Sequence, residues 1–129
     1  MKTKNVMRAV LALLLMLACA PAWAKWVLIQ ESGDKWLYVD PSTIRKAGQF
    51  RRVWALINFR EHAAPGAYST RTHQQYDCKL GRYRILRRDS FSEWMAGGRN
   101  VETVARPEKW DSVSPGTVSQ AIFRKVCAK

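Results

Sequence analysis

Trp110-Asp-Ser-Val-Ser-Pro-Gly-Thr-Val-Ser-Gln-Ala-Ile-Phe-Arg-Lys-Val-Cys127 stands at the C-terminal end of the chain, and its spacing predicts a short helix. Val118, Ala121, Ile122 and Val126 fall at the i, i+3, i+4, i+8 positions that line one side of a helix. Thr117 and Gln120 match a Thr-x-x-Gln capping box, while Ser114 before Pro115 is a rival N-cap with proline at the first helical position. Arg124, Lys125 and Lys129 sit near the C-terminus, where the helix dipole favours positive charge. A helix of about eleven residues is marginal by itself, so this one needs a sheet to lie on.

The strands for that sheet lie upstream. Phe50 to Arg60 is the clearest: Val53, Ala55, Ile57 and Phe59 form an unbroken apolar face. The alternate face is mixed and carries Trp54 and Leu56, which makes those two the candidate protein-contact face. Trp26 to Ile29 and Trp36 to Val39 read as a hairpin about Ser32-Gly33-Asp34, and Asp40-Pro41-Ser42-Thr43 is expected to break the second strand. Ser69 to Cys78 and Arg82 to Arg88 follow as two strands. Met95-Ala96-Gly97-Gly98 reads as a flexible loop, and Val101 to Ala105 as a last strand. Strict alternation along Arg82 to Arg88 puts Arg82, Arg84, Leu86 and Arg88 on one side, an arginine ladder that is the candidate anion-binding site.

Residues 1–24 read as a cleaved signal peptide. Lys2, Lys4 and Arg8 form a positive start, Ala9 to Ala20 an apolar run, and Ala22-Trp23-Ala24 a small-x-small cleavage site. Cys19 raises lipidation as a second reading, though Met16-Leu17-Ala18 fits a lipobox poorly. Residues 25–129 then form one domain with a net charge of +9, since the leader removes three basic residues from a chain of +12. An exported chain has two cysteines left, Cys78 and Cys127, and an oxidising compartment predicts a disulfide between them.

Nothing in the chain marks catalysis. His62 and His73 lack a second histidine or a carboxylate at ligand spacing, and there is no Gly-x-Ser-x-Gly elbow. The expectation is no enzyme, no cofactor and no metal site. Export makes nucleic acid a poor partner for the positive charge. Lipopolysaccharide, acidic glycans and envelope or host extracellular proteins are the available ones.

An ordered set of residues running the length of the domain carries a resemblance. It comprises Trp26, Tyr38-Val39-Asp40 with Pro41, Ser42 and Ile44, Gly48, Val53-Trp54, Tyr76-Asp77-Cys78, Gly98, Trp110, Pro115-Gly116-Thr117 and Cys127. In these the chain resembles the surface-adhesin protein E family of Gram-negative bacteria. The resemblance implies an α+β fold, a six-stranded antiparallel sheet packed against a C-terminal helix. It also implies dimers, and a non-enzymatic binding module in the periplasm or on the outer cell surface. The alternative is a periplasmic structural or anion-binding protein that uses its arginine-rich strand face.

Overall fold

A computed structural model describes residues 2–17 and 24–129. Lys2–Leu17 form a helix, α1. Cys19, the residue of the second, lipidated reading, and the cleavage-site residues Ala22 and Trp23 lie outside the described residues. No helix among the described residues is long and apolar enough to cross a membrane.

Six strands follow, β1 (Val27–Ser32), β2 (Lys35–Ala47), β3 (Phe50–Ala63), β4 (Ala67–Asp77), β5 (Arg82–Phe91) and β6 (Asn100–Val104). Each pairs antiparallel with the next, in chain order. A two-residue strand, β7 (Asp111–Ser112), pairs with the Arg82 end of β5, and the helix α2 (Val118–Val126) packs on one face of the curled sheet. This is the expected architecture. Ser32 pairs with Lys35 and Ala47 with Phe50, which leaves two-residue turns led by Gly33 and Gly48. Both glycines take positive φ, 36° and 58°, the region such tight turns demand and L side chains avoid.

The Asp40-Pro41 stretch does not end β2. The strand continues to Ala47 through an irregularity between Asp40 and Arg45. Side chains supply the bonds the ladder loses there. Thr43 Oγ1 donates to the Asp40 carbonyl at 2.7 Å and accepts from the Trp54 amide at 3.0 Å. Proline is tolerated because such a bulge needs no ladder donor from it.

Alternation along β3 sends Val53 and Ala55 into a core with Leu37, Val39, Tyr76, Ile122 and Val126, and Ile57 packs against it. Each fully buried aliphatic side chain there contributes about 1.5–3 kcal/mol. Thr117, not Ser114, is the N-cap of α2: its hydroxyl accepts from the Gln120 amide at 3.3 Å. The Gln120 side chain reaches back one residue further than a capping box requires, to the Gly116 amide at 2.9 Å. Cys127 caps the other end and is bonded to Cys78, with Cα atoms 5.6 Å apart. The expected staple therefore ties the last turn of α2 to the end of β4.

Candidate functional site

The face turned away from α2 holds most of the polar chemistry. On β3 it receives Arg52, Trp54, Leu56 and Asn58. Across the ladders Trp54 faces Asp40 and His73, Leu56 faces Tyr38 and Arg71, and Asn58 faces Trp36 and Ser69. The Trp54 ring stacks on His73 with centroids 4.7 Å apart and 11° between planes, and the Arg71 guanidinium lies 5.1 Å from the Trp54 centroid. Burial, and then the charge of Arg52, push the His73 imidazole below its usual pKa.

The expected Trp54–Leu56 contact face is corrected in one member. Leu56 is 0 % exposed, although it points away from the helix. The curled sheet surrounds it with Trp54 and Asn58 along its own strand and with Tyr38 and Arg71 across the ladders, so no surface is left for a partner. Trp54 remains half-exposed at the edge of a cleft of about 380 Å³ lined also by Trp26, Asp40 and Arg71.

The arginine ladder is corrected as well. Gln74 pairs with Ile85 but His73 pairs with Arg87, so Leu86 is an extra residue in β5. One inserted residue reverses the alternation beyond it. Arg82 and Arg84 therefore share the open face with Arg87, while Arg88 turns to the helix side beside Val118 and Ser119 and pairs with Glu108 at 3.1 Å. The arginines that β4 and β5 place on the open face are engaged. Arg82 pairs with Asp77 at 3.1 Å and Arg84 Nε donates to Gln75 at 2.9 Å, and both lie within 4.6 Å of the Trp110 ring centre. Arg71 and Arg87 each pair with Asp89 at 3.1 Å.

Three buried aspartates, Asp40, Asp77 and Asp89, stand on this same face. Burial pushes each carboxyl up, but hydrogen bonds outweigh it and hold all three below the usual carboxylate range. Asp77 is held by the amides of Leu80 and Lys79, by Gln49 and by Arg82. Arg87, Thr103 and Arg71 hold Asp89, while Ser42 and the Lys25 amide hold Asp40.

At the far end of this face the expected flexible loop is a pinned turn. Trp94–Ala96 form one 3₁₀ turn in which Met95 and Ala96 adopt φ of 59° and 58°. Asn58 Oδ1 accepts from the Met95 amide at 2.9 Å. Ser69 Oγ donates to the Glu93 carbonyl at 2.6 Å and accepts from the Ala96 amide at 3.0 Å. Trp94 Nε1 donates to the Phe59 carbonyl at 2.7 Å, its ring lies 5.1 Å from Trp36, and Arg60 sits 5.9 Å over Trp36. Trp94 is still 48 % exposed and Met95 42 %. Sequence reasoning missed this cluster. The signal available was a Trp-Met pair inside a glycine-rich stretch, opposite polar strand residues that needed partners.

His62 lies against Tyr68 with ring centroids 3.8 Å apart. Among the described residues no three His, Cys, Asp or Glu side chains gather as a metal site would require.

The model of the family described as surface-adhesin protein E matches residues 26–128. Among solved structures, crystal form II of Haemophilus influenzae protein E superposes with a TM-score of 0.63 at 16 % identity, covering 84 % of this chain and 91 % of that one. The selenomethionine form of the same protein gives 0.62 at 18 % identity, covering 84 % and 89 %. Among curated proteins none matches the chain.

Proposed function

The chain belongs to the surface-adhesin protein E family, and on that premise we propose that it is an exported binding module that grips an extracellular protein through the tryptophan end of its open face. The family implies an exported protein that binds host or envelope components, and its adhesins support a place on the outer cell surface. Binding, not catalysis, is then the work of the domain.

One observation carries the choice of site: Trp94 is presented, half-exposed, on a backbone held in the left-handed region at Met95 and Ala96. Two such non-glycine residues cost about 1–3 kcal/mol each and persist only where their surroundings fix them. Asn58 and Ser69 supply that fixing. A rigid tryptophan beside a second one and an arginine is the composition from which protein hot spots are built. The arginine face is the weaker contact, because Arg82 is tied to Asp77, Arg87 to Asp89 and Arg84 to Gln75.

The test is binding of the exported protein to immobilised host matrix proteins and to its own envelope fraction. Trp94→Ala is expected to weaken the contact about tenfold or more, the loss typical of a hot-spot residue, with the circular-dichroism spectrum unchanged. Arg82→Ala combined with Arg84→Ala is expected to leave it nearly intact and insensitive to salt. Undiminished binding by Trp94→Ala would overturn the site. Binding lost in the arginine pair and falling steeply with salt would move the contact to the arginine face.

A further inference from the structure

The three buried aspartates are not equivalent. Asp77 has Arg82, and Asp89 has both Arg71 and Arg87. Asp40 is 3 % exposed, yet among the described residues no lysine or arginine forms an ion pair with it. Its carboxylate accepts only from neutral donors. Oδ1 takes the Ser42 amide at 3.0 Å and the Ser42 hydroxyl, and Oδ2 takes the backbone N–H of Lys25 at 3.0 Å. The charge of Lys25 acts on Asp40 only as the smallest of the causes that lower its pKa, without an ion pair. A buried carboxylate without an ion-paired cation is the costly arrangement, and the other two aspartates avoid it.

The donor on Oδ2 is the nitrogen of the residue that the small-x-small pattern places first in the processed chain. We infer that cutting after Ala24 turns Asp40 into the receptor for the new N-terminus, with the α-ammonium of Lys25 as its missing cation. The leader-processing protease hydrolyses the Ala24–Lys25 bond with one water. The water oxygen joins the Ala24 carboxylate, and both of its protons end on the Lys25 nitrogen. An amide N–H already 3.0 Å from the carboxylate becomes an ammonium at the same place. No search of conformations is needed, because Val27 pairs with Val39, the residue before Asp40, and so delivers Lys25 to it.

The surroundings suit the exchange. The cleft of about 380 Å³ beside Asp40 is lined by Ala24, Trp26, Ser42, Thr43, Trp54 and Arg71. Arg71 is its one charged neighbour besides Lys25 itself and is committed to Asp89 at 3.1 Å. His73, stacked on Trp54, is held toward its neutral form. Departure of Ala24 opens the cleft wall at the point where the ion pair forms. The precursor then carries a buried carboxylate with no ion-paired cation, which the processed domain does not. Processing thereby stabilises the fold at the end of the sheet where β1 begins.

The inference rests on the reading of the chain as exported, and two measurements separate the two. Intact mass of the exported protein is expected to begin at Lys25, and a start at any other residue overturns the inference. The α-amino group, marked by ¹³C reductive dimethylation and followed by NMR, is expected to titrate about one unit or more above the ordinary 7.7–8.0. Asp40→Asn is expected to return it to the ordinary value. A second variant keeps Asp40 and restores Ala24 as the first residue, which moves the ammonium one residue out. It is expected to melt below the processed form and to show an ordinary amine. An α-amine that titrates at its ordinary value in the processed protein, or equal melting temperatures for the processed and extended forms, would overturn the proposal whatever the fate of Asp40→Asn.

Discussion

The two faces of the sheet are built from the same strands by different physics. The face under α2 is sealed by Val39, Val53, Ala55, Tyr76, Ile122 and Val126 and closed by the Cys78–Cys127 bond. The opposite face buries Asp40, Asp77, Asp89 and Asn58 and satisfies them with arginines, amides and hydroxyls. Burial of hydrocarbon responds little to pH, whereas hydrogen-bonded carboxylates respond to it directly. The stable face thus needs only to be sealed. The chemically varied face is left open, and the exposed tryptophans stand at its end.

The largest effect should come from opening the seal. Reduction of the disulfide, or Cys127→Ala, is expected to cost about 2–5 kcal/mol, because the bond closes a long loop and α2 is too short to hold by itself. For about a hundred residues each kcal/mol lowers the melting temperature by roughly 4–8 °C. Calorimetry with and without reductant reads this directly. A melting temperature unmoved by reductant would mean that helix packing alone seals the face.

Leu56→Ala sharpens the comparison from the other side. If the open face has a core of its own, the loss should be about 2–3 kcal/mol, the low end for a buried leucine, since the Arg71 side chain can settle into the gap. Val53→Ala, on the sealed face, is the reference. A cost below about 0.5 kcal/mol, the size of a surface change, would return Leu56 to the exposed surface where the sequence pattern put it.

That pattern was readable where one face was apolar throughout. Val53, Ala55 and Ile57 alternate without interruption, and the helix stripe Val118, Ala121, Ile122, Val126 meets the same core. The open face was harder for a physical reason. Its residues are satisfied by partners far apart in sequence, such as Asn58 with Met95 and Arg71 with Asp89, and periodicity carries no information about those. The extra residue at Leu86 was silent too. A bulge in a strand with arginines on both sides leaves no hydrophobic mismatch to reveal it, so Arg87 and Arg88 exchanged faces unnoticed. Asp40-Pro41 misled in the opposite direction, since Thr43 rebuilds a strand that proline should have ended. The disulfide was legible because export leaves only two cysteines to pair.

Acid should loosen the open face first. Asp40, Asp77 and Asp89 all titrate below the ordinary value of 3.8 when folded. A carboxyl with a depressed folded pKa contributes its full stability above the unfolded value, and the contribution is lost as pH falls through the folded one. Stability should therefore decline below about pH 4. Amide exchange on β4 and β5 should rise before α2 frays. Asp89→Asn should flatten part of this decline, at the price of lower stability at neutral pH. A helix that frays before the Asp89 neighbourhood opens would contradict the assignment of acid sensitivity to this face.

The smallest effect is expected near neutrality, from His73. Burial against the Trp54 ring, and secondarily the charge of Arg52, hold its folded pKa below the ordinary 6.5. Arg87 across the ladder and Arg71 two residues before it are also cations, and both are paired with Asp89. As pH falls through 6.5 the unfolded chain takes up a proton before the folded one does, so stability must decrease there. The melting temperature should sag between pH 7 and pH 5, before any of the aspartates titrates. His73→Gln should abolish the sag, while Arg52→Ala should reduce it only in part, because burial is the larger cause. A sag that persists in His73→Gln would have to come from another group, and His73 would then be only a stacking partner for Trp54.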